Sequence, residues 1–461
     1  MLSKKAVLEL VEDELYPQWE QEREKLDWLD RWAGWKQSDI QVPRGATLEH
    51  RRLAALAKTP WLSLVVSSIS QGLYVDGYKS TKDSQDGDAN AGPWETWKAN
   101  AFDRRQIPIH RAALTYGYAF GRALPGEDHE GPRAVLRGIS PRDAYAVWQS
   151  PADDEWPMFV IHLHEAPNDH YLVELFEGNT IHRVDKPKLG GKPEYIDFSQ
   201  HSFDNPPWVR YGMPDLEGRC VGQVEPFVDA AQRINKTTYD RLLIQHFNSW
   251  KVRTIAGMQK PKGGDLALEQ EKLRLRNEDL LVSDSPDTKF GTLDETPLEG
   301  IIRAGEFDIE TLAAVSQTPT HELTGKLINL SADALVAARG GLMRKTAEWM
   351  KAFGASHAQL LRLGAYYEGD IEDARDVHGR VTWQDMEIRS LSQAVDALGK
   401  AYQMLGVPQE VLWSRIPGVD KSDVEEWKEI RERNNEQNNF AQQMQRQIAD
   451  LQRKPPADEE Q

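Results

Sequence analysis

The sequence predicts an α+β fold, with a meandering antiparallel sheet and a set of long helices in different parts of the chain. Three observations carry this. From Ala134 to Val184 apolar and polar residues alternate with period two, as half-buried strands require. After Pro226, the residues Phe227, Ala230, Ala231, Ile234, Leu242 and Leu243 recur at helical spacing, with no further Pro or Gly before Gly257. A longer helical run starts at Ala332 and reaches about Leu363, interrupted only by Gly340-Gly341 and Gly354.

In chain order, residues 4–35 read as mostly helical, with a break or kink expected at Pro17. Trp19, Trp28, Trp32 and Trp35 lie there among charges; such rings either meet another subunit or pack on the chain's own core, and both readings stay open. Thr47 through Gly72 is patterned as helix by Leu53, Leu56, Leu62, Val65, Val66 and Ile69, and runs into Leu73-Tyr74-Val75-Asp76-Gly77-Tyr78. In the polar loop that follows, Asp86-x-Asp88-x-Asn90 has the start of a calcium loop. Ala91 stands where that loop needs Gly and Trp97 where it needs Glu, so no metal is expected. The stretch His110 to Phe120 reads as a helix closed by Gly117, then a strand.

In the meander, Met158–His164 and Tyr171–Phe176 are joined by a turn around Pro167-Asn168-Asp169, and Glu177-Gly178-Asn179 leads into Thr180–Val184. His162 and His164 share one face, as zinc ligands on a strand would, with His170 or His182 as candidate neighbours. No carboxylate or Cys at ligand spacing completes a set, so they read as ordinary surface histidines.

The central stretch opens at Glu225-Pro226, an acid and a proline suited to a helix N-terminus, and supports one helix of about 25 residues, near ~37 Å. The period then changes. Lys251–Ala256, Leu280–Val282 and Lys289–Leu293 look like short strands around a charged helical piece, Leu266 to Arg276. Helix resumes at Pro297 and breaks at Gln317–Leu330, where Pro319 and Gly325 bar continuity. Ser331 then supplies an N-cap and Asp333 a first-turn acid. Further on come a strand candidate, His378–Trp383, an amphipathic helix, Ser390–Leu405, and a helix near Val424. Beyond Arg431 the tail is polar, a marginal helix or a disordered end.

The order helix, small β excursion, helix, loop, glycine-bearing long helix resembles the portal proteins of long-tailed bacteriophages. The words match too: Ile234-Asn235-Lys236-Thr237 with Asp240-Arg241-Leu242, Thr318-Pro319, Gly325, Asn329-Leu330-Ser331-Ala332-Asp333-Ala334, and Leu342-Met343-Arg344-Lys345 with Phe353-Gly354. Each is weak alone; together and in order they are specific. The resemblance implies a portal fold with an α/β wing (1–223), a stem helix (224–250), a β-containing clip (251–296) and a second stem helix (297–316). A tunnel loop (317–331), a kinked helix with wing return (332–388), a helical crown (389–431) and a polar tail (432–461) complete it.

By the same resemblance, copies of the chain form a ring, dodecameric in the family, at a capsid vertex of the virion, assembled in the host cytoplasm. DNA is packaged, retained and ejected through it. Its implied partners are the packaging motor (terminase large subunit), head-completion and tail adaptor proteins, and major capsid and scaffolding proteins, with transient contact to double-stranded DNA. The tunnel loop would bring Thr320, His321, Glu322, Lys326 and Asn329 to the channel, with Glu322 offsetting the attraction of Lys326 for phosphate. Composition alone favours a plain connector, and it is the family order that points to the channel. The clip would dock partners through Glu269 and Glu271.

Composition bounds these readings. The chain has 461 residues, 56 basic and 73 acidic side chains and a formal charge of -17. Tight DNA binding draws on counterion release at a basic surface, so this balance argues against it and fits a wall that DNA slides past. An acidic protein with no DNA role would have the same charge. Cys220 is the only cysteine, so no intrachain disulfide forms and a reducing compartment is expected. No run of 18 apolar residues or signal-peptide core is seen, so a soluble protein with no membrane association is expected. Thr324-Gly325-Lys326 is not a phosphate loop, because Thr320 and Leu327 replace its Gly and its Ser or Thr. No catalytic residue, cofactor or metal site is assigned. Another virion scaffold or adaptor is the alternative, with a metal-dependent hydrolase behind it.

Overall fold

The structure is a computed structural model that describes the chain apart from 82–91, 257–288, 293–295, 327–331, 385–390 and 435–461 and positions 1, 39, 43, 130, 250–252, 414–415, 417–418, 420–422 and 425. Within it, residues 1–383 form one compact unit and 384–461 a second. The first unit has both helices and strands in separate stretches, so the α+β class holds.

The N-terminal segment is helical without interruption: α1 (Lys4–Glu9), a π-helical stretch (Leu10–Leu15) and α2 (Tyr16–Ala33). The kink expected at Pro17 is replaced by this widened turn, in which Tyr16 N–H reaches back five residues to the Val11 carbonyl. Val7, Val11, Leu15 and Trp19 bury one stripe of the segment against a five-stranded antiparallel sheet. That sheet has the order β4 (Ala144–Val147), β5 (Phe159–Ala166), β6 (His170–Glu177), β7 (Thr180–Pro187), β8 (Glu194–Gln200). Ile161, Leu163, Val173, Leu175 and Val184 face the helix; Val160, Phe176 and Ile181, on the opposite face, pack with Phe120 and Trp208. Those two belong to a second sheet, ordered β3 (Gly131–Ile139), β2 (Tyr118–Asp128), β9 (Trp208–Gly212). The period-two alternation thus serves two cores at once.

Helices α3 (Leu48–Leu56) and α4 (Trp61–Ser70) replace the single helix expected over 47–72. Leu48–Ser70 has the length and hydropathy of a membrane span, yet it is bent at Thr59-Pro60 and Leu62, Val65 and Ile69 are fully buried in the core. After α4 come β1 (Val75–Lys79), α5 (Pro93–Ala99) and α6 (Phe102–Tyr116). Gly117 ends α6 with φ of 101°, and a Cβ there would meet the Cys220 carbonyl at 2.4 Å, so only glycine fits.

Helix α7 (Val228–Ser249), entered through a 3-10 turn Glu225–Phe227, is the expected 25-residue helical stretch. Strands β10 (Arg253–Ala256) and β11 (Lys289–Thr292) pair antiparallel; the other strand and the charged helix expected between them lie outside the described residues. Then come α8 (Glu299–Ser316), α9 (Thr320–Thr324), α10 (Ala332–Glu368), α11 (Ile371–Ala374) and β12 (Arg380–Trp383). The return strand was expected; it pairs with β1 as a separate two-stranded sheet. In the second unit are α12 (Leu391–Leu405) and α13 (Gln409–Trp413), with Trp413 set edge-on to Trp427.

The C-terminal half of α10 is the centre of the main core, through Trp349, Phe353, Leu360, Leu361 and Leu363, all nearly or fully buried. Among them lies a polar chain. Tyr211 Oη is 2.9 Å from His357 Nδ1, His357 Nε2 is 2.8 Å from His110 Nε2, and His110 Nδ1 is 3.2 Å from the Leu73 carbonyl. The carbonyl can only accept, so His110 carries its proton on Nδ1, His357 donates from Nε2, and Tyr211 donates to His357. Every group is satisfied with both rings neutral. Phe353 stacks on His110 at 4.9 Å, and Trp97 meets His357 edge-on.

Burial drives the His110 pKa down to about 3, and burial beside His110 holds that of His357 well below its ordinary value. An unfolded chain protonates these rings near pH 6.5, whereas the folded one does not, so stability is fully present above that pH and falls as pH drops toward 3. Each ring contributes up to about 1.4 kcal/mol per pH unit in that window. Thermal unfolding between pH 7 and 4.5 is expected to show a falling midpoint, with a shallower slope in His110→Gln and His357→Gln. Equal slopes in wild type and variants would remove the buried rings as the cause.

Candidate functional site

Two places have the side-chain chemistry for a function. The first is the end of the α7/α8 pair. Arg233 Nε lies 2.9 Å from Asp308 Oδ1 and Thr237 donates to Asp308 at 2.8 Å, tying α8 along α7. At the C-terminus of α8, Gln317 adopts a left-handed conformation and the Lys345 ammonium, reaching from α10, donates to the Ser316 carbonyl at 2.8 Å. Burial lowers the Lys345 pKa to about 8. The lysine caps a helix end whose carbonyls would otherwise be orphaned.

The segment expected as an open loop contains α9. Its Leu323 is buried in the main core, so the segment is anchored from inside while Thr320 is exposed. His321 is half-buried, and its Nε2 has no hydrogen-bond partner among the described residues. Glu322 lies 3.5 Å from Arg339 on α10, not against Lys326. Lys326, 60% exposed, pairs instead with Glu306 on α8 at 2.7 Å. The expected offset of Lys326 by Glu322 is therefore corrected: Glu306 does it, because α8 runs beside the segment and the short helix turns Glu322 toward α10. Asn329, Glu269 and Glu271 lie outside the described residues; the ion partners of Lys326 and Glu322, Glu306 and Arg339, are ones that sequence reasoning did not name.

The second place is between the two sheets. His162 and His164 lie on one face as expected, but His162 is 7% exposed, and Glu174 on β6 completes a three-ligand group with them. The expectation that no carboxylate completes the set is thus overturned. His162 is the direct cross-strand partner of Glu174, and Glu174 Oε2 is 3.1 Å from His164 Nε2 and 3.5 Å from His162 Nδ1. His170 and His182 do not join; they pair with Asp185 and Glu177.

A cation already fills this group. Arg122 of β2 places Nη1 3.3 Å from both His162 Nδ1 and Glu174 Oε2, with its guanidinium over Trp208 at 5.4 Å. A divalent ion would have to displace a buried guanidinium or share the space with it at like-charge distance, so the arrangement is that of an ion-paired clamp. Burial alone would raise the Glu174 pKa, but the hydrogen bonds from His162 and His164 and the Arg122 charge outweigh it and hold the carboxyl well below the usual range. Burial lowers the His162 pKa.

A broad cleft beside α10, lined by Trp148, Arg210, Gln359, Arg362 and Trp383, holds no poised nucleophile. Its Arg210 is spent on the Trp148 ring, 4.4 Å away, and on the Pro151 carbonyl.

Removing Arg122 takes the closest full positive charge from the buried Glu174, and removing Glu174 leaves the Arg122 guanidinium buried without that carboxylate. Arg122→Met and Glu174→Gln are each expected to destabilise the fold by about 2–4 kcal/mol, read from denaturant midpoints, whereas Arg183→Gln, at the solvent edge of Glu174, should cost under about 1 kcal/mol. Equal small losses at all three positions would show that the pair is not carrying the sheet interface.

No individual curated protein matches this chain. A family model described as phage portal protein, SPP1 Gp6-like, matches residues 12–438. The match spans both sheets, the α7/α8 pair and the whole of α10. With nearly the full length covered, the chain belongs to the phage portal protein family.

Proposed function

We propose that copies of this chain form a closed ring at a capsid vertex, through which double-stranded DNA is packaged, held and later ejected. The observation that carries this reading is the family match over residues 12–438, joined to the order of α7, β10 and β11, α8, α9 and α10 within it. In this reading α7 and α8 are the stem that frames the channel and β10–β11 the base of the clip. The segment 317–331 reaches the channel, α10 returns the chain to the wing sheets, and residues 389–431 form the crown. The ring is dodecameric, as the resemblance implies, and assembles in the host cytoplasm with capsid and scaffolding proteins. A motor and then tail adaptors dock on the clip, and the protein's own work is mechanical. Negative-stain images of the purified protein test this directly: closed rings with a duplex-wide channel are expected, and compact monomers at high concentration would count against it.

The electrostatics support passage rather than grip. A chain with formal charge -17 repels phosphate, and Lys326, repeated around a ring, must give up Glu306 to touch a phosphate. Shortening Thr320 to Ile328 is expected to preserve ring assembly and procapsid incorporation and to reduce packaged DNA per particle severely. Wild-type filling and retention in the shortened variant would sink the role given to this segment.

The clip is proposed as a docking surface rather than a folding core, since its helical piece is charged and its strands are short. Reversing Glu269 and Glu271 to Lys should impair binding of the packaging motor or adaptor while rings persist. Unchanged binding in the double variant would take docking away from this face.

A further inference from the structure

Helix α7 carries a neighbour on each of two nearly opposite sides. At about 100° per residue, Arg233 and Thr237, which hold α8, point away from Tyr239 and Leu242, which pack with Ala54, Ala57 and Leu53 of the α3 segment. The layers therefore run α3, α7, α8, and the two outer helices turn their far faces to solvent.

Each of those faces carries large exposed apolar side chains beside charged ones. On α3, Leu48 and Leu56 are 64% and 72% exposed, with Arg51 and Arg52 exposed between them. On α8, Phe307 is 67% exposed, with the exposed acid Glu310 one turn on and Arg303, held by Glu299, one turn back. Large apolar side chains rimmed by charge mark protein contacts more than water-facing walls. The exposed sides of α7 carry polar pairs such as Lys236 with Asp240, and Phe247, 49% exposed near its C-terminal end, lies against His50 of α3.

We infer that the outer face of α3 on one copy docks against the outer face of α8 on the next copy, Leu56 against Phe307 and Arg52 against Glu310. This rests on the ring reading above and names the contact that would close it. The occupant follows from complementarity: one face is apolar and basic, the other apolar and acidic, and they lie on opposite sides of the same rod. Such a contact is heterologous, and a heterologous contact closes a ring when its repeated rotation completes a full turn without a rise along the axis. Glu306, one turn before Glu310 on the same side of α8, holds Lys326 at the edge of this contact.

The test is disulfide trapping of the full chain in a Cys220→Ser background, with Arg52→Cys and Glu310→Cys introduced together or singly and mild oxidation by copper phenanthroline. The doubly substituted chain should give a ladder of covalent oligomers on denaturing gels. Each singly substituted chain should stay monomeric, and an equal mixture of the two should stop at dimers. Charge reversal adds a second readout: Arg52→Glu or Glu310→Arg alone should weaken assembly at least tenfold in mass photometry, and the two together should restore it.

Closed rings that give no ladder, or that tolerate Phe307→Asp and Leu56→Asp, would overturn this contact while leaving the ring reading standing. Cross-linking of a singly substituted chain would overturn the head-to-tail geometry. A wild-type chain that stays monomeric would overturn the ring reading and this contact with it.

Discussion

The hydrogen-bonded chain from Tyr211 through His357 and His110 to the Leu73 carbonyl is the constraint on which the main core depends. It joins four elements that are far apart in sequence: β9, α10, α6 and the passage from α4 into β1. Apolar packing alone would tolerate several registers of a 37-residue helix, because leucines and phenylalanines interchange with modest cost. Polar groups do not. Sliding α10 by one turn would leave ring nitrogens and a hydroxyl unpaired in the core, at about 1–3 kcal/mol each. The chain thus fixes where the long helix sits, and the contacts nearer its N-terminal end, Lys345 with Ser316 and Arg339 with Glu322, follow from that placement.

The five-stranded sheet shows a related division. One face is dry, against α1, the π-helical stretch and α2. The other is apolar around Phe120, Phe176 and Trp208 and polar around Arg122, Glu174 and His162. Ion pairing at this depth contributes little net stability, yet it admits only one pairing of the two sheets, since any other leaves a buried charge alone. Buried His rings in the core and a buried Arg between the sheets serve the same end by different chemistry.

The long helices and the meander were legible in the sequence because each rests on local periodicity over many residues, whereas β12 was a short candidate whose return came from the resemblance, and it pairs with β1 rather than with the larger sheets. The turn at Pro17 was not, since a π-helical widening leaves no mark on the spacing of Val7, Val11, Leu15 and Trp19. Glu174 was within reach. Counting back from the turn at Asn168 and Asp169, both of positive φ, pairs Ala166 with His170 and hence His162 with Glu174. That a cation would fill the group could not be read this way, because Arg122 comes from another sheet. The partners of Lys326 and Glu322 were likewise hidden, as they depend on how α8 and α10 lie beside a five-residue helix. Trp19 and Trp32 proved to be core residues and Trp28 packs partly buried against the core, because their helix face meets the sheet and α4; Trp35, 69% exposed, is the one that still fits a contact with another subunit.

Local pairing also bears on how an acidic ring would treat DNA. Among the described residues many cations are held by carboxylates of the same chain, Arg142 by Asp27, Arg233 by Asp308 and Lys326 by Glu306. Phosphate binding gains its strength from releasing counterions, but a lysine that already has a carboxylate exchanges one anion for another when phosphate arrives. The net gain per contact is then small, and so is the loss when the contact breaks. Around a ring, copies of Lys326 would meet a moving duplex at successive phosphates, each exchange nearly balanced by its own Glu306. In the proposed ring, a chain that had left these lysines unpaired would bind more tightly and pass DNA less readily, so the Glu306–Lys326 pair would serve the sliding surface more than the stability of the fold.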